Sequence, residues 1–278
     1  MKKLIVSLGL ALTLSFGATF NEGVEAFEKG DYKTALSIFE DLSSTNNSEA
    51  QYYLGFLYYN GQGVKQDYKK AIEWYEKAAA QGFADAQYNL GVMYSNGIGV
   101  KQDYKKAIEW YKKAAAQGNA NAQYNIGTIY YNGNGVKQDY KKAIEWFEKA
   151  AAQGFIVAQH NLGVLYAKGL GVKQDYQKAK ELYEKAAAQG YTDSQNNLGN
   201  MYINGHGVKQ DYQKAKEWFE KAAAQGNVNS QYNLGNMYVY GLGVKQDFKK
   251  AKEWFGKACD GGEQMGCDNY KLLNQKGY

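Results

Sequence analysis

The hexapeptide Gly63-Val64-Lys65-Gln66-Asp67-Tyr68 returns at Gly99, Gly135, Gly171 and Gly207, and a sixth copy at Gly243 ends in Phe248. The spacing is 36 residues each time, with no slippage. A fixed period of this length marks an array of stacked structural units, and it decides the fold class. Six full units run 48–83, 84–119, 120–155, 156–191, 192–227 and 228–263. The positions of Gly55, Gly61, Gly63 and Gly82 are glycine in every unit, so they hold 24 of the 32 glycines in the chain.

Inside a unit the pattern reads helix, loop, helix. In the second unit Ala86, Leu90, Met93 and Tyr94 fall on one face of a 3.6-residue period. Asn96-Gly97-Ile98-Gly99-Val100-Lys101-Gln102 breaks that pattern, and Asp103 stands where an N-cap accepts from orphan backbone N–H groups. Ala107, Trp110, Tyr111 and Ala114 then mark the inner face of a second helix. Gly118 fits the left-handed residue past its end. Gly91 on the first helix and Ala114 and Ala115 on the second permit close backbone approach.

One such pair cannot bury its own apolar faces. Stacking in series buries residues of the Leu90, Tyr94, Trp110 and Tyr111 type between neighbours. Five units carry Trp at the Trp110 position and the fourth has Leu182, an aromatic ladder that packing explains. The ends differ. Residues 18–47 have the same second-helix phase, Asp31 preceding Asp67 by one period, but lack the glycine loop, and so form an N-terminal cap. Residues 264–278 supply one more first helix with a polar finish, a C-terminal cap.

The 278-residue chain has 33 basic residues, all Lys, and no Pro. An average chain of this length carries roughly fourteen prolines, so proline-rich linkers and recognition tracts are excluded. Its start reads as an address: Met1-Lys2-Lys3 is basic, and Leu4 to Phe16 is largely apolar yet too short to span a bilayer. Residues 1–17 are expected to be a secretory signal peptide, cleaved after Gly17 in Ser15-Phe16-Gly17. Export to the periplasm or the extracellular space follows. Without Lys2 and Lys3 the balance is 31 Lys against 28 acidic residues, too mild to indicate nucleic acid or a membrane surface. The missing Arg removes the forked readers of phosphate and guanine.

The Leu-Gly-x-x-Tyr-x-x-Gly-x-Gly-Val core, followed by Trp-Tyr-x-Lys-Ala-Ala-x-x-Gly, resembles the Sel-1-like repeat family, relatives of the tetratricopeptide repeats. The N-terminal cap resembles a plain tetratricopeptide unit. The likeness covers residues 20–278. It implies an all-α, right-handed α/α superhelical solenoid of helix-loop-helix repeats, with first helices lining a concave surface. It also implies an adaptor that binds a protein or peptide, with no shared catalytic chemistry and no cofactor. With both caps shielding the ends, a monomer is expected.

Cys259 and Cys267 lie in the last turn of a second helix and the first turn of the next helix, at the places of Ala79 and Gln87. Antiparallel neighbours joined by a turn bring such Cα atoms within disulfide reach, and a lone pair in an exported protein reads as a disulfide. The spacing also resembles that of the Helicobacter cysteine-rich proteins, where the pair recurs along the solenoid; here it occurs once. That likeness implies a rival reading, a weak β-lactamase or penicillin-binding enzyme. The Ser-x-x-Lys, Ser-Asp-Asn and Lys-Thr-Gly motifs of such serine enzymes are absent from the chain. His160 replaces a recurring Tyr and His206 sits in a Gly-His-Gly loop, so neither lies in a catalytic or metal-binding motif. A third reading is a secreted factor that engages host proteins, which is the same binding module in another place.

The binding reading rests on Asn89, Asn125, Asn161, Asn197 and Asn233, which share one first-helix position that Tyr53 takes in unit one. A row of amides offers donors and acceptors to an extended peptide backbone, or ties neighbouring helices. Tyr88, Tyr124 and Tyr232 stand beside it and offer amphipathic contact area. The halves also differ: Ile72, Ile108 and Ile144 become Lys180, Lys216 and Lys252. The first half therefore shows either an exposed apolar strip or ordinary partial burial at these positions.

Overall fold

The computed structural model describes residues 18–278, which divide into one compact unit ending at Gln102 and another spanning Asp103–Tyr278. The expected leader, 1–17, lies outside the described residues. Those residues form helices only, with no strand among them. The first unit holds α1 (Phe20–Glu28), α2 (Tyr32–Ser43), α3 (Ser48–Asn60), α4 (Tyr68–Ala80) and α5 (Ala84–Asn96). The second begins with α6 (Tyr104–Ala116), α7 (Ala120–Asn132), α8 (Tyr140–Ala152), α9 (Ile156–Lys168) and α10 (Tyr176–Ala188). It continues with α11 (Thr192–Asn204), α12 (Tyr212–Ala224), α13 (Val228–Tyr240), α14 (Phe248–Asp260) and α15 (Gln264–Gln275). Within each unit every helix packs on the next in sequence, the all-α solenoid class that the period predicts.

The hexapeptide performs most of the local work. Asp103 is extended and its carboxylate accepts from the backbone N–H groups of Lys105 and Lys106 at 3.0 and 3.1 Å, an N-cap. The preceding Gln donates back to the end of the first helix, as Gln138 Nε2 does to the Tyr131 carbonyl at 2.8 Å. Gly171 has φ 73°, and a Cβ there would lie 2.5 Å from Cβ of Tyr140. The glycine of one copy thus seats on the Tyr of the copy before it, which locks the spacing of consecutive loops. Val172 packs into the core formed by Ile144, Phe147, Leu162 and Leu165. Gly118 is left-handed as expected, with φ 89°.

The inner faces differ from the expected ones at two places. On α6 the buried residues are Ala107, Ile108, Tyr111, Ala114 and Ala115, while Trp110 is only half-buried. At 100° per residue Ile108 lies nearer the centre of the buried stripe, and Trp110 falls on its flank. There the Lys113 ammonium covers the indole at 3.9 Å, and the same stacking recurs for Lys149 on Trp146 and Lys221 on Trp218. On the first helices Tyr94 is half-buried, and Gln87 is buried in its stead.

The exposed apolar strip does not form. Ile72, Ile108 and Ile144 are 7 %, 6 % and 8 % exposed, so they belong to the core. Lys180 and Lys216 keep their stems at the same position and turn their ammonium groups out to Glu184 and Glu220, each at 2.6 Å. Lys252 has Gly256 four residues on, and it donates to Asn274 Oδ1 and to the Tyr278 backbone oxygen.

A relay of buried glutamines links the helices of the second unit. Gln159 donates to the Ala151 carbonyl and accepts from Gln189; Gln195 donates to the Ala187 carbonyl and accepts from Gln225. Gln231 donates to the Ala223 carbonyl, but the residue due to donate to it is Gly261, and its buried Oε1 has no partner among the described residues. One repeat further on, Cys259 and Cys267 occupy the Ala223 and Gln231 positions and are bonded, with Cα atoms 4.5 Å apart. The disulfide therefore replaces a hydrogen bond of the relay at the C-terminal cap.

Candidate functional site

The first helices carry the expected site residues, and the residues beneath them decide what each does. Asn89, Asn125, Asn161, Asn197 and Asn233 are all half-buried, at one position of α5, α7, α9, α11 and α13. Beneath them lie buried rings of the second helices, Tyr75 in the first unit and Tyr111, Phe147, Tyr183, Phe219 and Phe255 in the second. Where the ring is Tyr75 or Tyr183, the amide of the Asn above it, Asn89 or Asn197, is a favourable polar neighbour of the hydroxyl. Burial pushes both phenols well above the ordinary range, and the Asn amide offsets only part of that rise. Where the ring is Phe219, Asn233 turns to its neighbours and donates to Asn196 Oδ1 at 3.1 Å and to Asn200 Oδ1 at 3.4 Å. Above Phe147, Asn161 has no side-chain partner among the described residues.

The tyrosines divide in the same way. Tyr124 packs between Phe147 and Phe155, with ring centroids 5.6 and 5.1 Å away, and Tyr232 packs on Phe255 at 5.5 Å. Both serve internal packing. Tyr88 instead lines a cavity of about 200 Å³ with Asn89, Phe56, Tyr59, Asn60, Tyr75, Val92 and Met93. Here the structure brings two of the expected site residues together in a recess. Its floor is the Tyr75 ring, close against the first helix because a Cβ on Gly55 would lie 2.5 Å from that ring. No carboxylate, ammonium or imidazole lines it. Tyr52, which shares the Asn89 amide, is also held neutral by burial and by the Asp85 charge. The recess is therefore apolar and aromatic, with two side-chain amides at its rim, suited to an uncharged side chain flanked by backbone.

Phe56, Tyr59, Asn60 and Val92 were not identified from sequence. Phe56 and Val92 hold a position that varies along the array, being Thr128, Val164, Asn200 and Asn236 elsewhere, and that variability is the signal they carry. His160 is half-buried against Tyr183 and Tyr191, its Nδ1 2.9 Å from Ser194 Oγ, and burial lowers its pKa while Asp193 opposes the change. His206 stacks on Tyr176 at 4.7 Å. Among the described residues no three of His, Cys, Asp and Glu group as metal ligands, and no helix is long and apolar enough to cross a membrane.

The Sel1 repeat profile matches residues 48–83, 84–119, 120–155, 156–191, 192–227 and 228–263. Among solved structures, the chain is similar to c5321, a protective antigen of uropathogenic Escherichia coli with an SLR fold. Identity is 38 % over 87 % of this chain and 52 % of that one, with a TM-score of 0.82. It is also similar to a Sel1 repeat protein from Oxalobacter formigenes, 33 % identical over 86 % of this chain and 96 % of that one, TM-score 0.72. Helicobacter pylori cysteine rich protein B is 29 % identical over 49 % of this chain and 98 % of that one, TM-score 0.39. The chain thus spans about half the length of the Escherichia coli antigen. None of the curated proteins matches it. The six matched segments together cover most of the sequence, and the chain belongs to the Sel1 repeat family.

Proposed function

We propose that this protein is an exported, non-enzymatic scaffold that binds a peptide or protein partner on its first-helix face. The observation that carries this reading is the recess walled by Phe56, Tyr59, Tyr75, Tyr88 and Val92, with Asn60 and Asn89 at its rim. It supplies an apolar hole for one side chain and amides for the adjoining backbone, the two elements of extended-peptide recognition. The basic and apolar start of the chain and the Cys259–Cys267 bond support export.

A displayed library of random twelve-residue peptides, selected on the immobilised full chain, tests the site. Selected peptides should share a bulky apolar residue and lose at least tenfold in affinity to Val92→Trp, which fills the recess, at an unchanged melting temperature. Asn60→Ala, at the recess itself, should weaken the same peptides without lowering that temperature. Peptides indifferent to both changes would sink the assignment. Fractionation of cells into cytoplasm, periplasm and medium tests export, and retention of the whole product in the cytoplasm would remove it.

A further inference from the structure

Five residues of the hexapeptide have contacts that explain why they recur. The glycine seats on the preceding Tyr, the valine enters the core, the glutamine and aspartate cap two helices, and the Tyr receives the next glycine. The lysine has none. Lys137, Lys173, Lys209 and Lys245 are exposed and have no ion pair among the described residues. A residue repeated in every unit without a role in the fold is where a function common to the units is to be sought.

Charge counting sharpens the point. Residues 103–278 contain 24 Lys and 17 acidic residues, a net charge of +7. Twelve of those lysines lie in the loop and first helical turn: Lys137, Lys141 and Lys142 in one repeat, and their counterparts in the others. Only five acidic residues share these segments, the capping aspartates. The entire net charge of the unit therefore sits on this loop edge, and the remainder is balanced at twelve against twelve. Consecutive loops are held side by side: Gly171, Gly207 and Gly243 rest on Tyr140, Tyr176 and Tyr212, and Gln177 Nε2 donates to the Gly207 carbonyl. Part of the row is fixed by aromatic stacking, with Lys142 over Tyr130 at 5.2 Å and Lys250 over Tyr238 at 5.5 Å. Open grooves run beside both, one lined by Lys137, Lys141 and Lys142 with Tyr130, the other by Lys245, Lys249 and Lys250 with Tyr238.

We infer that this lysine edge is a second contact surface, for an acidic polypeptide segment of a protein partner. Charge complementarity selects an anion, and the linear row selects an extended one. Lys without Arg suits scattered carboxylates better than the forked recognition of phosphate. A membrane surface is disfavoured because Met265 and Leu272, the exposed aliphatic residues of this unit, line neither groove, and stable membrane attachment adds an inserted or lipid anchor to basic charge. This surface is independent of the recess on the first helices.

The test uses the full chain and a fluorescein-labelled sixteen-residue oligoglutamate, followed by anisotropy at 50 and 300 mM salt. Binding should appear at low salt and weaken at least tenfold at high salt as the charges are screened. Lys137→Gln, Lys141→Gln, Lys173→Gln, Lys209→Gln, Lys245→Gln and Lys249→Gln combined should weaken low-salt binding at least tenfold. Removing the same charge elsewhere, with Lys112→Gln, Lys149→Gln, Lys185→Gln, Lys221→Gln, Lys257→Gln and Lys271→Gln, should change it less than twofold. Equal losses in the two variants, or no binding at low salt, overturn the proposal. So does tighter edge-dependent binding of phosphatidylglycerol vesicles or a sixteen-nucleotide RNA. Val92→Trp should leave oligoglutamate binding unchanged, which separates this surface from the recess.

Discussion

Phe56 and Val92 in repeats one and two hold the position that Asn200 and Asn236 hold in repeats five and six. Around the first pair the floor is Tyr75, the neighbour is Tyr52, and the Asn89 amide is shared between those two hydroxyls above an apolar recess. Around the second pair the floor is Phe219 and the neighbour is Asn196, whose Oδ1 accepts from the Ser230 hydroxyl at 3.0 Å and from Asn233. One helical frame thus supports two chemistries, a recess for a side chain and a closed amide network. The recurring Asn is the pivot: a buried hydroxyl beneath it ties it downward, and a phenyl ring leaves it to bond sideways or to remain open. A repeat protein can in this way vary its surface without altering the contacts that set its period.

The difference can be broken most forcefully at Asn196. Asn196→Ala removes the acceptor of a fully buried Ser230 hydroxyl and one acceptor of Asn233. A buried donor left unmade costs about 1–3 kcal/mol, so the urea midpoint should fall, and Asn196→Ala with Ser230→Ala should recover most of the loss. An unchanged midpoint for the single variant would show that the network contributes nothing. A smaller effect is expected at the other pole. Tyr75→Phe converts the floor of repeats one and two into that of repeats five and six and leaves Asn89 to Tyr52 alone, at a cost of about 0.5–1.5 kcal/mol for one hydrogen bond. The ring and its packing are retained, so a loss several times larger would mean that the hydroxyl does more than hold Asn89.

Much of this was legible in the sequence. The period and the Asp103-type caps prescribe the array, because each depends on local backbone geometry repeated without change. Trp110 was misplaced because a 3.6-residue pattern cannot separate the centre of a stripe from its flank when Ile108 is equally apolar. The glutamine relay escaped because Gln87 reads as surface until a neighbouring helix end covers it. One rule was present and unread: serine replaces alanine at 194 and 230 only after the Tyr position of the preceding repeat has become His160 or Asn196. The recess is the least legible, since it is made by ordinary apolar residues whose meaning depends on what they fail to fill.

His160 offers the gentlest probe of the same contrast, because it stands where Tyr52 and Asn196 stand in the two regions compared. Burial holds its pKa below the ordinary value of 6.5, with the Asp193 charge working in the opposite direction. The unfolded chain therefore takes up a proton at a higher pH than the folded one. Stability from the neutral ring is fully present above about pH 6.5 and is lost as the pH falls through that value toward the folded pKa, where the loss levels off. The expected loss is the smallest of the three, because one partly buried ring titrates and the Asp193 charge opposes the effect of its burial. It should appear as a lower urea midpoint at pH 5.5 than at pH 7.5. His160→Tyr with Ser194→Ala rebuilds the pair that Tyr124 and Ala158 form one repeat earlier, and it should flatten that difference. If the double variant keeps the same pH response, the titrating group lies elsewhere, and His160 is an inert member of the row.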